Sequence, residues 1–79
     1  MPLYFLHVRD GDLSINDQEG SFFVDLAAAR SEAIKSAREL MAVGIVDEGR
    51  IGIERSMVIC DAAGRTLCVL PFRKTIGLS

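Results

Sequence analysis

No window of this chain approaches the roughly 18 consecutive apolar residues of a membrane-spanning helix, so no membrane is expected as a partner. Tryptophan is absent, and the 79 residues include one tyrosine, one histidine, two prolines and two cysteines. Cys60 and Cys68 are too few for a disulfide framework and lack the spacing of a zinc site. They fall near each other across a hairpin but diagonally, which is poor bridging geometry, so reduced thiols acting as small hydrophobes are expected. The basic residues are scattered, which argues against nucleic acid as a partner. Gly11, Gly20, Gly49, Gly52 and Gly64 are equally dispersed and form no phosphate-cradling loop. The first residues show neither a basic region nor a cleavage site, and a cytoplasmic protein is the expectation.

What is present is apolar side chains: 49% of the residues, against 25% charged, which describes one globular domain over residues 1–79 and rules against disorder. A domain this small buries only about 60% of its unfolded surface. Its most informative stretch is the terminal hairpin, Ser56 to Phe72. Met57, Val58, Ile59 and Cys60 run together without a charge, as do Leu67, Cys68, Val69 and Leu70. A strand with one wet face alternates apolar and polar residues, whereas an unbroken apolar run marks a strand sheltered on both faces. One amphipathic helix cannot shelter both, so a second cover is required.

Net charge is −2, unevenly spread. Residues 1–25 hold Asp10, Asp12, Asp17, Glu19 and Asp25 against Arg9, a balance of −4, while residues 51–79 carry +2. Attraction between this acidic front and the basic tail of another chain is conceivable, but ordinary solvated loop charge explains both.

Period-two alternation makes Leu3 to Arg9 a strand, with Tyr4, Leu6 and Val8 on one side and Leu3, Phe5, His7 and Arg9 on the other. Asp10-Gly11-Asp12 reads as a turn, Leu13 to Ile15 as a short returning strand, and Ser21 to Val24 as an extended, edge-like segment. Asp25 then caps a helix expected over residues 26–43, ending at Gly44. Its apolar stripe is Leu26, Ala29, Ala33, Ala37, Leu40 and Met41, with Ile34 at the margin, and Lys35 and Glu39 form an i,i+4 pair. Ile51 and Ile53 either begin an extended stretch or plug the helix end. In the hairpin, Asp61-Ala62-Ala63-Gly64 suits a type I turn with a glycine bulge, which sets Ile59 opposite Leu67 and Met57 opposite Val69. A tighter two-residue loop moves Leu67 and Val69 to the other face. Pro71 ends the ladder or marks an edge, and Arg73 to Ser79 reads as a frayed tail. The fold class expected is α+β: a mainly antiparallel sheet, in hairpin–helix–hairpin order, packed on a single helix.

Particular residues add a resemblance. Met1-Pro2, Tyr4-Phe5, His7-Val8-Arg9-Asp10-Gly11, Asp17-x-Glu19-Gly20, Asp25-Leu26, Ala28-Ala29-Arg30, Glu32-Ala33, Asp61-x-x-Gly64-Arg65 and Pro71-Phe72 occur in this order through nearly the whole chain. Together they resemble a family of small uncharacterised proteins, a domain of unknown function common in rhizobia and related alphaproteobacteria. The resemblance implies paired strands around one helix and no known activity. Members often carry charge where this chain has Val58 and Cys60, which favours an interface here. A fainter similarity, in the order of turn residues, is to the N-terminal domain of the HicB antitoxin family, whose members bind a small RNA-cleaving toxin.

Each reactive side chain has a plain structural explanation. His7 has no matched base or nucleophile and reads as a partly buried imidazole. Asp10-x-Asp12-x-Ser14 imitates the start of a calcium loop, but Ile15 and Ser21 stand where such a loop needs glycine and glutamate. Ser31, Ser36 and Ser56 lack a triad context. No catalytic residue, cofactor or metal is expected, and the protein does not read as an enzyme. The expected role is a protein-interaction module, a homodimer through the sheet's second face, centred on Phe5, Val58, Cys60, Cys68 and Leu70. Two alternatives remain: residues 45–53 and the tail fold over that face, or a different protein binds it, in the manner of an antitoxin-like or regulatory binder.

Overall fold

Strand pairing decides which side chains of this chain meet its helix. The computed structural model describes residues 1–48 and 54–76, the side chains of 44–48 excepted. Five strands form one antiparallel sheet: β1 (Leu3–Asp10), β2 (Leu13–Ile15), β3 (Ser21–Phe22), β4 (Ser56–Asp61) and β5 (Thr66–Pro71). The order is β2-β1-β4-β5, and β3 pairs with β1 beside Leu3 and Tyr4, while β2 pairs with it from Val8 to Asp10. Between them, β1 has an amide with no strand partner, and Asp17 supplies one. The Leu6 amide donates to Asp17 Oδ2 at 3.2 Å, the Gly20 amide donates to Asp17 Oδ1 at 3.1 Å, and the Asp17 amide donates to His7 Nδ1 at 3.0 Å. One side chain thus completes the edge of the strand and folds its own loop. Gly20 is required there: its φ is +70°, and an added Cβ would lie 2.9 Å from the Tyr4 carbonyl oxygen.

The helix α1 (Leu26–Glu48) starts where the sequence places it: the Ala28 amide donates to Asp25 Oδ1 at 2.8 Å. It does not stop at Gly44 but runs on to Glu48. A glycine inside a helix costs about 1 kcal/mol relative to alanine, which weakens a helix without ending it, and no proline follows. The buried stripe is Ala29, Ala33, Ala37 and Met41, with Ile34 packed alongside, whereas Leu26 and Leu40 are partly exposed. Three alanines bring the helix close to the sheet, where Tyr4, Met57, Ile59, Leu70 and Phe72 complete the core. The Lys35–Glu39 ion pair does not close within the described residues. Lysine preceding glutamate is the weaker order against the helix dipole.

The tail is not frayed where it leaves the sheet. Phe72–Lys74 forms a 3-10 turn, and Phe72 and Thr75 are fully buried. The Thr75 hydroxyl donates to the Phe72 carbonyl at 2.7 Å, and Arg38 Nε donates to the Thr75 carbonyl at 3.1 Å, tying the turn to α1. It therefore thickens the helix side of the sheet, and the continuation of α1 takes residues 45–48 into the helix as well. Residues 49–53, including Ile51 and Ile53, and residues 77–79 lie outside the described residues. The Cα extents of 37 × 29 × 17 Å leave room for two layers, since a helix packs about 10 Å from a sheet.

The hairpin turn follows its sequence, and the register matches neither expected pairing, although it gives Leu67 and Val69 the face that the tighter loop would have given them. The Gly64 amide donates to the Asp61 carbonyl at 3.0 Å, and Gly64 takes φ +84°. One pair further on, Cys60 faces Thr66 but Ile59 faces Cys68, so an irregularity between Ile59 and Cys60 inserts an extra residue on β5. Met57 then faces Leu70, and Val58 faces Val69. Because side chains alternate, that single residue exchanges the two faces of β5 from Leu67 onward.

Candidate functional site

Cross-strand partners share a face, so the register assembles the second face directly. Phe5 pairs with Cys60, and Cys60 with Thr66; His7 pairs with Val58, and Val58 with Val69; Leu3 pairs with Phe22. Phe5 and His7 stack along β1 with centroids 6.1 Å apart and planes 12° from parallel. Neither α1 nor the 3-10 turn lies over this face, since both pack on the other, while the Asp17–Gly20 loop meets it at β1, beside His7 and Phe5. Val58 and Cys60 are nonetheless only 3% and 6% exposed. Their cross-strand neighbours on this face are Phe5 and His7 of β1 and Thr66 and Val69 of β5. The exposed apolar surface lies around them, on Val69 at 48%, Leu67 at 41% and Phe22 at 64%.

Of the five residues expected at an interface, Phe5, Val58 and Cys60 come together on this open face. Cys68 and Leu70 do not: they face Ile59 and Met57 and pack in the core beneath the helix. The bulge is the reason. Phe22, Leu67 and Val69 stand there with them; the tighter hairpin register already offered Leu67 and Val69 for this face, while Phe22 was not singled out. Both cysteines are free thiols, and they lie on opposite faces of the sheet, which excludes a bridge between them.

A second concave surface lies on the helix side, toward β1. It encloses about 650 Å³ between sheet and helix. Leu6, Val8, Met57 and Phe23 line it from the sheet side, and Leu40 and Val43 from α1. Among the described residues its charged lining groups are Asp17, Glu32 and Glu39, and no basic residue lines it. Glu32 and Glu39 have no ion-pair partner among the described residues.

The remaining polar groups stabilise local structure. Asp10 Oδ2 pairs with Arg55 Nε at 3.2 Å, and with Asp17 committed to its own loop the acidic front is divided among separate structural tasks. Asp61 accepts from the amides of Arg65 and Ala63 at 2.9 and 3.0 Å and from Arg65 Nε at 3.0 Å. The Arg65 amide is the chief cause that holds this carboxyl below the ordinary aspartate range. Among the described residues, no three histidine, cysteine, aspartate or glutamate side chains gather as a metal site, and no helix is long and apolar enough to cross a membrane.

Fold and surfaces together define an α+β domain in which, among the described residues, one helix covers one face of an antiparallel sheet. The chain belongs to the family described as a domain of unknown function, DUF6894, whose model matches residues 3–73. No curated protein and no solved structure matches the chain.

Proposed function

We propose that this domain is a protein-interaction module that pairs with a second copy of itself through the open face of its sheet. The observation that supports the reading is the exposed apolar rim of Phe22, Leu67 and Val69 around the sheltered Val58 and Cys60. A contiguous apolar patch of several such side chains approaches the few hundred Å² that monomers seldom leave to water. The broad side of the molecule, 37 × 29 Å, offers room for the roughly 800 Å² per partner of a stable complex. A twofold contact sets a surface against itself, so it needs a patch without strong charge of one sign. The strand residues of this face include no carboxylate, and the cationic Arg9 stands at the far end of β1 from Phe22. A copy is preferred to an antitoxin-like heterologous partner because nothing on the face selects a charged surface.

Sedimentation equilibrium tests the reading. The wild type is expected at twice its 8.6 kDa chain mass, and Val69→Asp and Phe22→Asp, at exposed positions, are expected to be folded and monomeric. A wild type that remains at the single-chain mass at high concentration rejects it.

A further inference from the structure

From the width of the sheet and the charge beside its helix, we infer a second docking site: the groove between α1 and β1 receives a basic amphipathic helix of a different protein. Strands lie about 4.8 Å apart, so the span from β2 to β5 is about 14 Å, while one helix is about 10 Å across. Helix α1 lies chiefly over β4 and cannot also cover the β1–β2 side. The vacancy beside it is lined on the sheet by Leu6 and Val8. Glu32, Ser36, Glu39, Leu40 and Val43 line it from α1, at the i, i+4, i+7, i+8 and i+11 spacing of one helical face. That face extends about 16 Å at 1.5 Å per residue, three turns of a second helix laid alongside. Ser36, at its middle, is small enough for close approach of a neighbouring backbone.

Charge names the partner. Among the described residues, Glu32 and Glu39 flank the apolar lining without cationic partners, and no lysine or arginine lines the groove. A twofold copy docked here would set Glu32 and Glu39 against their own images, which opposes self-association at this site. A helix with apolar residues on one face and lysine or arginine beside them meets both requirements. The site is on the opposite side of the sheet from the open face, so it neither needs nor prevents the proposed pairing.

The test is a titration of isotope-labelled full-length protein, followed by NMR, with an amidated peptide about 18 residues long carrying leucine at heptad a and d positions and lysine elsewhere. Saturable binding is expected, with shifts concentrated at Leu6, Val8, Ser36 and Leu40. The double variant Glu32→Lys/Glu39→Lys should weaken it about tenfold and admit a peptide with glutamate in place of lysine; Glu32→Gln/Glu39→Gln should weaken it about threefold. The spectrum of each variant reports whether the fold is retained. Absence of saturable binding, equal binding of a scrambled leucine–lysine peptide, or unchanged affinity in the charge variants overturns the inference. So do shifts centred on Val58 and Val69, which would place the peptide on the open face. Groove shifts that depend on protein concentration alone would identify a second copy as the occupant and overturn it as well.

Discussion

Met57 and Ile59 on one side of β4, and Val58 and Cys60 on the other, are all nearly hidden from water, yet their shelter differs in kind. Met57 and Ile59 lie beneath the Ala29-Ala33-Ala37 stripe of a helix. Among the described residues, the cross-strand neighbours of Val58 and Cys60 are Phe5, His7, Thr66 and Val69, and α1 lies on the other side. The exposed apolar side chains of this face stand further out, Leu67 and Val69 on the neighbouring β5 and Phe22 on β3, beyond β1.

Substitution on either side of β4 probes that difference most strongly. Ile59→Ala is expected to cost about 3–4 kcal/mol, because a helix-covered cavity cannot collapse, whereas Val58→Ala is expected to cost about 1–2 kcal/mol. Urea unfolding measures both. Under the proposed pairing the Val58→Ala loss grows with protein concentration, and a loss independent of concentration would count against that pairing. Gly20→Ala comes next, at about 2–3 kcal/mol, since it demands a left-handed alanine and pushes a methyl group against the Tyr4 carbonyl and the Phe5 ring. Tyr4 belongs to the covered face and Phe5 to the open one, so this variant is expected to disturb the amide signals of both. Asp17→Ala leaves the amides of Leu6 and Gly20 without their acceptor and is expected to cost about 2 kcal/mol, again by urea unfolding. Its local signature is faster amide exchange at Leu6 than at Ile59, on the paired side of the same sheet.

The smallest effect concerns the hairpin that carries both faces. Asp61 is held below the ordinary aspartate value of 3.8 by the Arg65 amide first, with the Arg65 guanidinium and the Ala63 amide adding to it. A folded-state value below the unfolded one means that its stabilisation is complete above that range and is lost as pH falls through it. Thermal midpoints of the wild type should therefore fall more steeply below about pH 4 than those of Asp61→Asn. Parallel acid limbs for the two proteins would refute this role for Asp61.

Signals carried by a few adjacent residues were legible. Asp25 marked the helix start, alanines at i, i+4 spacing marked its buried stripe, and Asp61 to Gly64 marked the hairpin turn. Tyr4, Leu6 and Val8 were placed correctly on one face of β1. The patch was only half legible. Phe5, Val58 and Cys60 followed from alternation in β1 and β4, but Cys68 and Leu70 required the register of β5, which no local pattern specified because both faces of that hairpin are apolar. A two-faced apolar strand loses the signal that normally fixes which way it points. The groove was not legible either, since it arises from where α1 rests across the sheet, a distance between elements remote in the chain.

The amino-acid sequence alone determined an α+β domain, the capped helix, the hairpin and the excess of apolar surface, because backbone propensity, capping and periodicity act within one or two turns of chain. Tertiary structure decided the bulge beside Cys60, the continuation of α1 past Gly44, and the docking of Phe72 and Thr75 beneath it. Each of those outcomes weighs a small local cost against packing with distant residues, a balance that exists only when the elements meet.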